Sequence, residues 1–152
     1  MSVLSCGVLL TSPEGWLLAH VTGTKRWDIP KGRQEPNETP LETMLRESFE
    51  ETNLNLDAYK EKIVDLGEHP YLERRLHLFK LGLDEALDLS DCCCHTKLVL
   101  NGTEIYEADQ WEWVPEHEVF NRIGRGLGNL LVQLDMLEEA KKPKPHKKSD
   151  LK

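Results

Sequence analysis

Glu47, Glu50 and Glu51 fall within five residues of one another, with Arg46 immediately before them. On a helix, Glu47 and Glu51 are four apart and Glu50 lies between them, so the three carboxylates share one face, neighbours about 5–6 Å apart. In water a pair of like charges that close costs about a few tenths of a kcal/mol; in a cleft of lower effective dielectric it costs several. Such a cluster calls for a cation or for raised carboxyl pKa values. Oxygen-only ligands point to magnesium, with manganese able to substitute. A Pro30-Lys31-Gly32 turn precedes the acids, an arrangement suited to holding the metal against a diphosphate. The plain alternative is a solvated acidic face on which Glu42 to Arg46 and Arg46 to Glu50 are ordinary ion pairs.

The helix that must carry these residues is specified at both ends. Thr39 suits the N-cap, Pro40 the first helical position, and Glu42 completes a Thr-x-x-Glu capping box. Leu41, Met44, Leu45 and Ser48 recur at helical spacing and face a core, while Asn53 can take the left-handed conformation that ends the helix. Upstream, Val3–Leu10 and Trp16–Val21 read as strands joined at Ser12-Pro13-Glu14-Gly15. Lys62–Gly67, Arg75–Leu83, Lys97–Leu100 and Trp111–Val114 read as further strands. From Glu116 the pattern turns helical, and Leu127, Leu130, Leu131, Leu134 and Leu137 trace one apolar stripe for a last helix packed on the sheet. Gly124-Arg125-Gly126-Leu127-Gly128 reads as its initiating loop, since no strand precedes it as a dinucleotide fingerprint requires. Mixed strands flanked by helices predict an α/β/α sandwich with a mixed β-sheet.

Composition fits one compact domain over residues 1–140. The chain has 152 residues, 39% of them apolar, and no repeat. Its formal charge of −8 is unevenly spread: residues 141–152 carry six Lys and one Asp, which leaves −13 on the rest. An acidic body argues against nonspecific nucleic-acid binding as the main role. The basic end, with two prolines and no apolar periodicity, is expected to be a disordered, solubilising tail. No membrane partner is expected: Val3-Leu4-Ser5-Cys6 lacks the preceding basic and apolar stretches of a lipoprotein leader and reads as a buried first strand. Cys92, Cys93 and Cys94, followed by His95, lack the separated pairs of a zinc site or a disulfide framework, so a reduced loop in the cytoplasm is the expectation. The residues leave the oligomeric state open.

Gly32, Glu38, Arg46-Glu47, Glu50-Glu51 and Leu54 resemble the Nudix hydrolase signature G-x5-E-x7-R-E-u-x-E-E-x-G-u, in which u is a bulky apolar residue. Seven of its nine defined positions match; Ser48 replaces an apolar residue and Asn53 a glycine. Neither departure touches the chemistry, since Asn is the next best residue for a left-handed helix end and a small Ser can sit beneath a packed helix. The resemblance implies the Nudix fold, with the signature as a loop, helix and loop at one sheet edge. It implies that Glu47, Glu50 and Glu51 bind magnesium, that the Gly32 carbonyl adds an oxygen, that Arg46 orients Glu47, and that Glu38 supports. Water would then attack a phosphorus of a nucleoside diphosphate linked to another group.

Trp27-Asp28-Ile29-Pro30-Lys31-Gly32 resembles the W-x-x-P-K-G segment of the branch that cleaves diadenosine tetraphosphate and related dinucleoside polyphosphates. Glu107-Ala108-Asp109-Gln110-Trp111-Glu112-Trp113-Val114 is similar to a late loop and strand of that branch and of RNA 5′-pyrophosphohydrolases. There a glutamate reaches back to the metals; here it is Glu107, taken as the general base approaching from a mobile loop. Tyr71, seventeen residues after Leu54, matches a base-stacking tyrosine of the dinucleotide branch, while Pro70 matches a proline of ADP-ribose pyrophosphatases. Lys31, Arg33, Arg26 and one of Arg74 and Arg75, which alternate on a strand, could clamp the distal phosphates. The leading expectation is a dinucleoside polyphosphate hydrolase. The others are an enzyme acting on RNA 5′ ends, an ADP-ribose or nucleotide-sugar pyrophosphatase, and a silent nucleotide-binding module.

Overall fold

The structure is a computed structural model that describes residues 3–139. The basic stretch 141–152 lies outside the described residues. The chain opens on β1 (Leu4–Ser12), which turns back tightly into β2 (Gly15–Val21). Gly15 takes φ 133°, and a side chain there would run into the Val114 carbonyl, so both conformation and space demand glycine. Two very short strands follow, β3 (Trp27–Asp28) and β4 (Lys31–Arg33), then α1 (Pro40–Thr52) and a 3-10 turn (Asp57–Lys62). β5 (Val64–Tyr71) and β6 (Arg74–Gly82) form the next hairpin. β7 (Lys97–Leu100), β8 (Thr103–Tyr106), β9 (Ala108–Val114), α2 (Glu116–Arg122) and α3 (Arg125–Gln133) complete the described elements.

The main sheet runs β3-β2-β1-β6-β5, with β4 also paired to β1 and β9 to β2. β1 and β6 are parallel; the other pairs are antiparallel, so the sheet is mixed as expected. Residues of β1 alternate between two cores, which is why nearly all of it is buried. Cys6, Val8 and Leu10 pack with Met44 of α1 on one face, and Leu9 packs with Leu127, Leu130 and Leu131 of α3 on the other. The result is the predicted α/β/α sandwich.

α1 begins and ends where its sequence specifies. Thr39 Oγ1 accepts from the Glu42 N–H at 3.2 Å, Glu42 Oε1 accepts from the Thr39 N–H at 2.8 Å, and Asn53 closes the helix at φ 66°. Other boundaries differ from the expectation. β3 and β4 go unseen in the sequence because two or three residues carry no periodicity; pairing with β2 and β1 defines them. β8 was also not anticipated. The helical pattern from Glu116 resolves into two helices, because Ile123 is extended and Gly124 caps a new start. α3 stops at Gln133, and the chain then folds back so that the Met136 and Leu137 N–H groups donate to the Leu131 carbonyl, leaving Leu137 buried outside any helix. Thus Gly126 and Gly128 lie inside α3, not in a loop before it.

Candidate active site

Gly32 is where sheet and helix meet. β4 pairs with β1 through Ser5, Cys6 and Gly7, placing Gly32 opposite Cys6 and beneath α1. A side chain at Gly32 would collide with the Glu47 carboxyl group, so glycine is required by that carboxylate and not by backbone conformation.

Arg46 organises the signature. Its Nε and Nη2 donate to the two oxygens of Glu38 at 2.7 and 2.9 Å, Nη1 donates to Glu47 Oε1 at 2.8 Å and to Glu50 Oε2 at 3.1 Å, and Nη2 also donates to the Arg33 carbonyl at 3.0 Å. Glu38 accepts further bonds from Thr43 Oγ1 and the Glu35 N–H, both at 2.9 Å. The Arg46 guanidinium and these donors hold the Glu38 carboxyl down at about 2. Glu38 thus ties the loop before α1 to Arg46 and Thr43.

Glu51 points the other way, toward the strand, and its Oε1 accepts from the Lys31 N–H at 2.9 Å. Burial pushes the Glu51 carboxyl well above its usual range, and the nearby Asp28 and Glu47 charges add to this against the Lys31 bond. Burial also raises Glu47, with the Glu50 and Glu107 charges working in the same direction against Arg46. The Glu107 charge is felt at Glu47, although sixty residues separate them in the chain.

The donor set fits a hard divalent cation: the groups are carboxylate and carbonyl oxygens, and burial disfavours the ionised forms of Glu47 and Glu51 in the absence of a cation. Yet among the described residues no three acidic, histidine or cysteine side chains converge on one coordination centre. Arg46 takes one oxygen each of Glu47 and Glu50, and the Lys31 amide takes one of Glu51. A cation held by all three would need these carboxylates to turn toward a common point.

Lys31 links the acids to the expected nucleotide-recognition residues. Its amide serves Glu51, while its Nζ pairs with Asp28 Oδ2 at 3.1 Å and lies 5.9 Å from the centre of the Tyr71 ring. Burial by itself would lower the Lys31 amine, but Asp28, Tyr71 and Glu51 together raise it, so it stays charged. Tyr71 is half-buried at the rim of the α3-side core, and burial raises its phenol. Arg74 and Arg26 are exposed and contribute to the field at Tyr71. Arg75 is half-buried with its Nη1 on Glu68, and the Arg33 side chain is exposed. The structure thus gathers Lys31, Tyr71, Arg26 and Arg74 at one end of the sheet and turns Arg75 to an acid on β5.

Glu107 sits at a junction of strands. It is the single residue between β8 and β9, its N–H donates to the Thr96 carbonyl and its carbonyl accepts from the Thr22 N–H, both at 3.1 Å. Trp111 and His95, neither given a role at the site from the sequence, complete the surroundings. The Trp111 indole N–H donates to the Glu51 carbonyl at 2.8 Å, and the His95 N–H donates to the Glu50 carbonyl at 2.6 Å, so both tie down the last turn of α1. Unpaired carbonyls at a helix end always need such partners, but the sequence does not say which distant residues supply them. All four cysteines are free. Burial pushes the Cys6 and Cys92 thiols up to about 11, as suits packing residues and not nucleophiles.

A NUDIX domain family model matches residues 1–132. RNA pyrophosphohydrolases from Psychrobacter sp. (strain PRwf-1) and Marinomonas sp. (strain MWYL1) are 30% and 32% identical over 124 and 119 residues; each alignment covers 71% of this chain, and 67% and 72% of those proteins. A C. elegans Ap4A hydrolase binary complex superposes with a TM-score of 0.56 at 20% identity, covering 86% of this chain and 95% of that one. At that identity the likeness speaks for the fold. Among the described residues no helix is long and apolar enough to cross a membrane.

Proposed function

This chain belongs to the NUDIX domain family, hydrolases of pyrophosphate-containing substrates, and from that premise we propose that it is a magnesium-dependent hydrolase of dinucleoside polyphosphates such as diadenosine tetraphosphate. The observation that carries the reading is Lys31, whose amide donates to Glu51 of the acidic cluster and whose ammonium lies 5.9 Å from the ring centre of the half-buried Tyr71. Phosphate and base are thus read side by side.

Glu47, Glu50 and Glu51 would hold the magnesium or manganese, with the Gly32 carbonyl as a further oxygen. When bound, the metal neutralises phosphate oxygens and acidifies water. The protein's own residues do the rest. Glu107 takes the proton from the attacking water. Arg46, held by Glu38, keeps Glu47 and Glu50 on the site side of the helix. Lys31, Arg26 and Arg74 meet the distal phosphates, and Tyr71 stacks on a base.

A second reading, hydrolysis at an RNA 5′ end, is favoured by the names of the two relatives at 30% and 32% identity. A panel of diadenosine tetraphosphate, ADP-ribose and 5′-triphosphorylated RNA, with products identified by mass, separates the readings. The dinucleotide should turn over fastest. Preferential release of pyrophosphate from RNA would establish the second reading, and no turnover of any of the three with magnesium would overturn both.

A further inference from the structure

We propose that Thr96 is the positioning residue for Glu107, an inference that rests on the reading of Glu107 as the base. β7 and β8 form a separate two-stranded ribbon whose last rung pairs Lys97 with Tyr106. The bond from the Glu107 N–H to the Thr96 carbonyl extends that ladder by one residue, so Thr96 and Glu107 are cross-strand neighbours with side chains on one face. On that face the Thr96 hydroxyl donates to Glu107 Oε2 at 3.0 Å. An ionised carboxylate can only accept, which fixes the direction of the bond. The Cys94 thiol lies 3.4 Å from both the carbonyl and the hydroxyl oxygen of Thr96, so it can donate to either and leave the hydroxyl proton on Glu107.

The backbone of Glu107 is pinned by Thr96 on one side and Thr22 on the other, which leaves its side-chain torsions as the remaining freedom. Thr96 removes it, engaging one oxygen and leaving Oε1 for water. The segment that carries Thr96 is itself moored to α1. The His95 N–H donates to the Glu50 carbonyl at 2.6 Å, its Nε2 lies 2.9 Å from Asn53 Oδ1, and Asn53 Nδ2 donates to the Asp91 carbonyl at 3.2 Å. One short stretch therefore sets the base against the helix that bears Glu47, Glu50 and Glu51.

The test compares Thr96→Val, Thr96→Ser, Glu107→Gln and the double variant Thr96→Val/Glu107→Gln, reading kcat, KM and melting temperature on whichever substrate of the panel is turned over. Valine keeps the shape and removes the hydroxyl. Loss of a hydrogen bond to a charged group predicts a fall in kcat of roughly tenfold or more, with KM and melting little changed. Serine should restore most of the loss. In the Glu107→Gln background the valine change should cost nothing further, because its effect runs through the missing carboxylate. An unchanged kcat in Thr96→Val beside an impaired Glu107→Gln overturns the role of Thr96 and spares the base. The same factor lost in both backgrounds makes Thr96 merely structural. Wild-type turnover by Glu107→Gln removes the base and this proposal together.

Discussion

Because the Glu47 carboxyl group fills the place of a Gly32 side chain, the smallest substitution there has a specific consequence. Glutamate is flexible and gives way, so Gly32→Ala should fold with a near-normal melting temperature while turnover falls by roughly a hundredfold, the order expected when charge stabilisation is misplaced. Collapse of the fold instead would show that the strand, and not the carboxylate, needs the glycine. Glu51 supplies a second test. Its folded pKa is raised, so between the ordinary carboxyl value of about 4.3 and the folded one the unfolded chain holds fewer protons, and ionising Glu51 costs stability as pH rises. Glu51→Gln keeps the acceptor for the Lys31 amide and removes that cost. In metal-free protein it should melt higher than wild type at neutral pH, lose the advantage as pH falls toward about 3, where both states hold the proton, and be inactive throughout. An equal or lower melting temperature at neutral pH would remove the case for uncompensated charge.

At the scale of elements, legibility followed local signals. α1 was readable to the residue because Thr39, Pro40, Glu42 and Asn53 each act within one turn. The β1–β2 hairpin was readable from its turn. β3 and β4 were not, since distant partners define them, and with them went the reason for Gly32. The β7–β8 ribbon had a signal that went unread: Asn101 and Gly102, at φ 52° and 78°, are the Asn-Gly pair of a tight hairpin turn. Reading it would have paired Lys97 with Tyr106 and set Thr96 beside Glu107. The link from the loop before α1 to Arg46 belongs to this scale too. Glu38, held down at about 2, contributes stability that is present above the ordinary carboxyl pKa of about 4.3 and is lost as pH falls through its folded value. Glu38→Gln should therefore cost about 1–3 kcal/mol at pH 7, the worth of a charge-assisted pair, and progressively less toward pH 2. Urea unfolding at both pH values measures it, and a gap that does not narrow with acid would place the loss elsewhere.

For the molecule as a whole, the sheet brings together two regions far apart in the chain. α1 lies over β1 and β4, and β9, which follows Glu107, pairs with β2 on the far side of β1. A long-range arrangement of this kind is held by the two cores, and the acidic cluster works against them by gathering like charges at the edge of the sheet. A cation bound only by the folded chain relieves that repulsion and stabilises by linkage, by about 2.7 kcal/mol at a hundred times its dissociation constant. Magnesium should accordingly raise the melting temperature of the wild type. In Glu47→Gln/Glu51→Gln the repulsion is already gone and two of the ligands are neutral, so its metal-free form should start higher and gain much less. Potassium chloride at matched ionic strength should shift the two proteins alike, because screening of the net charge does not depend on a particular pair of carboxylates. Equal magnesium shifts in wild type and double variant would mean that the ion acts on the acidic surface at large, and the assignment of Glu47 and Glu51 as its ligands would fall while the fold and family stood.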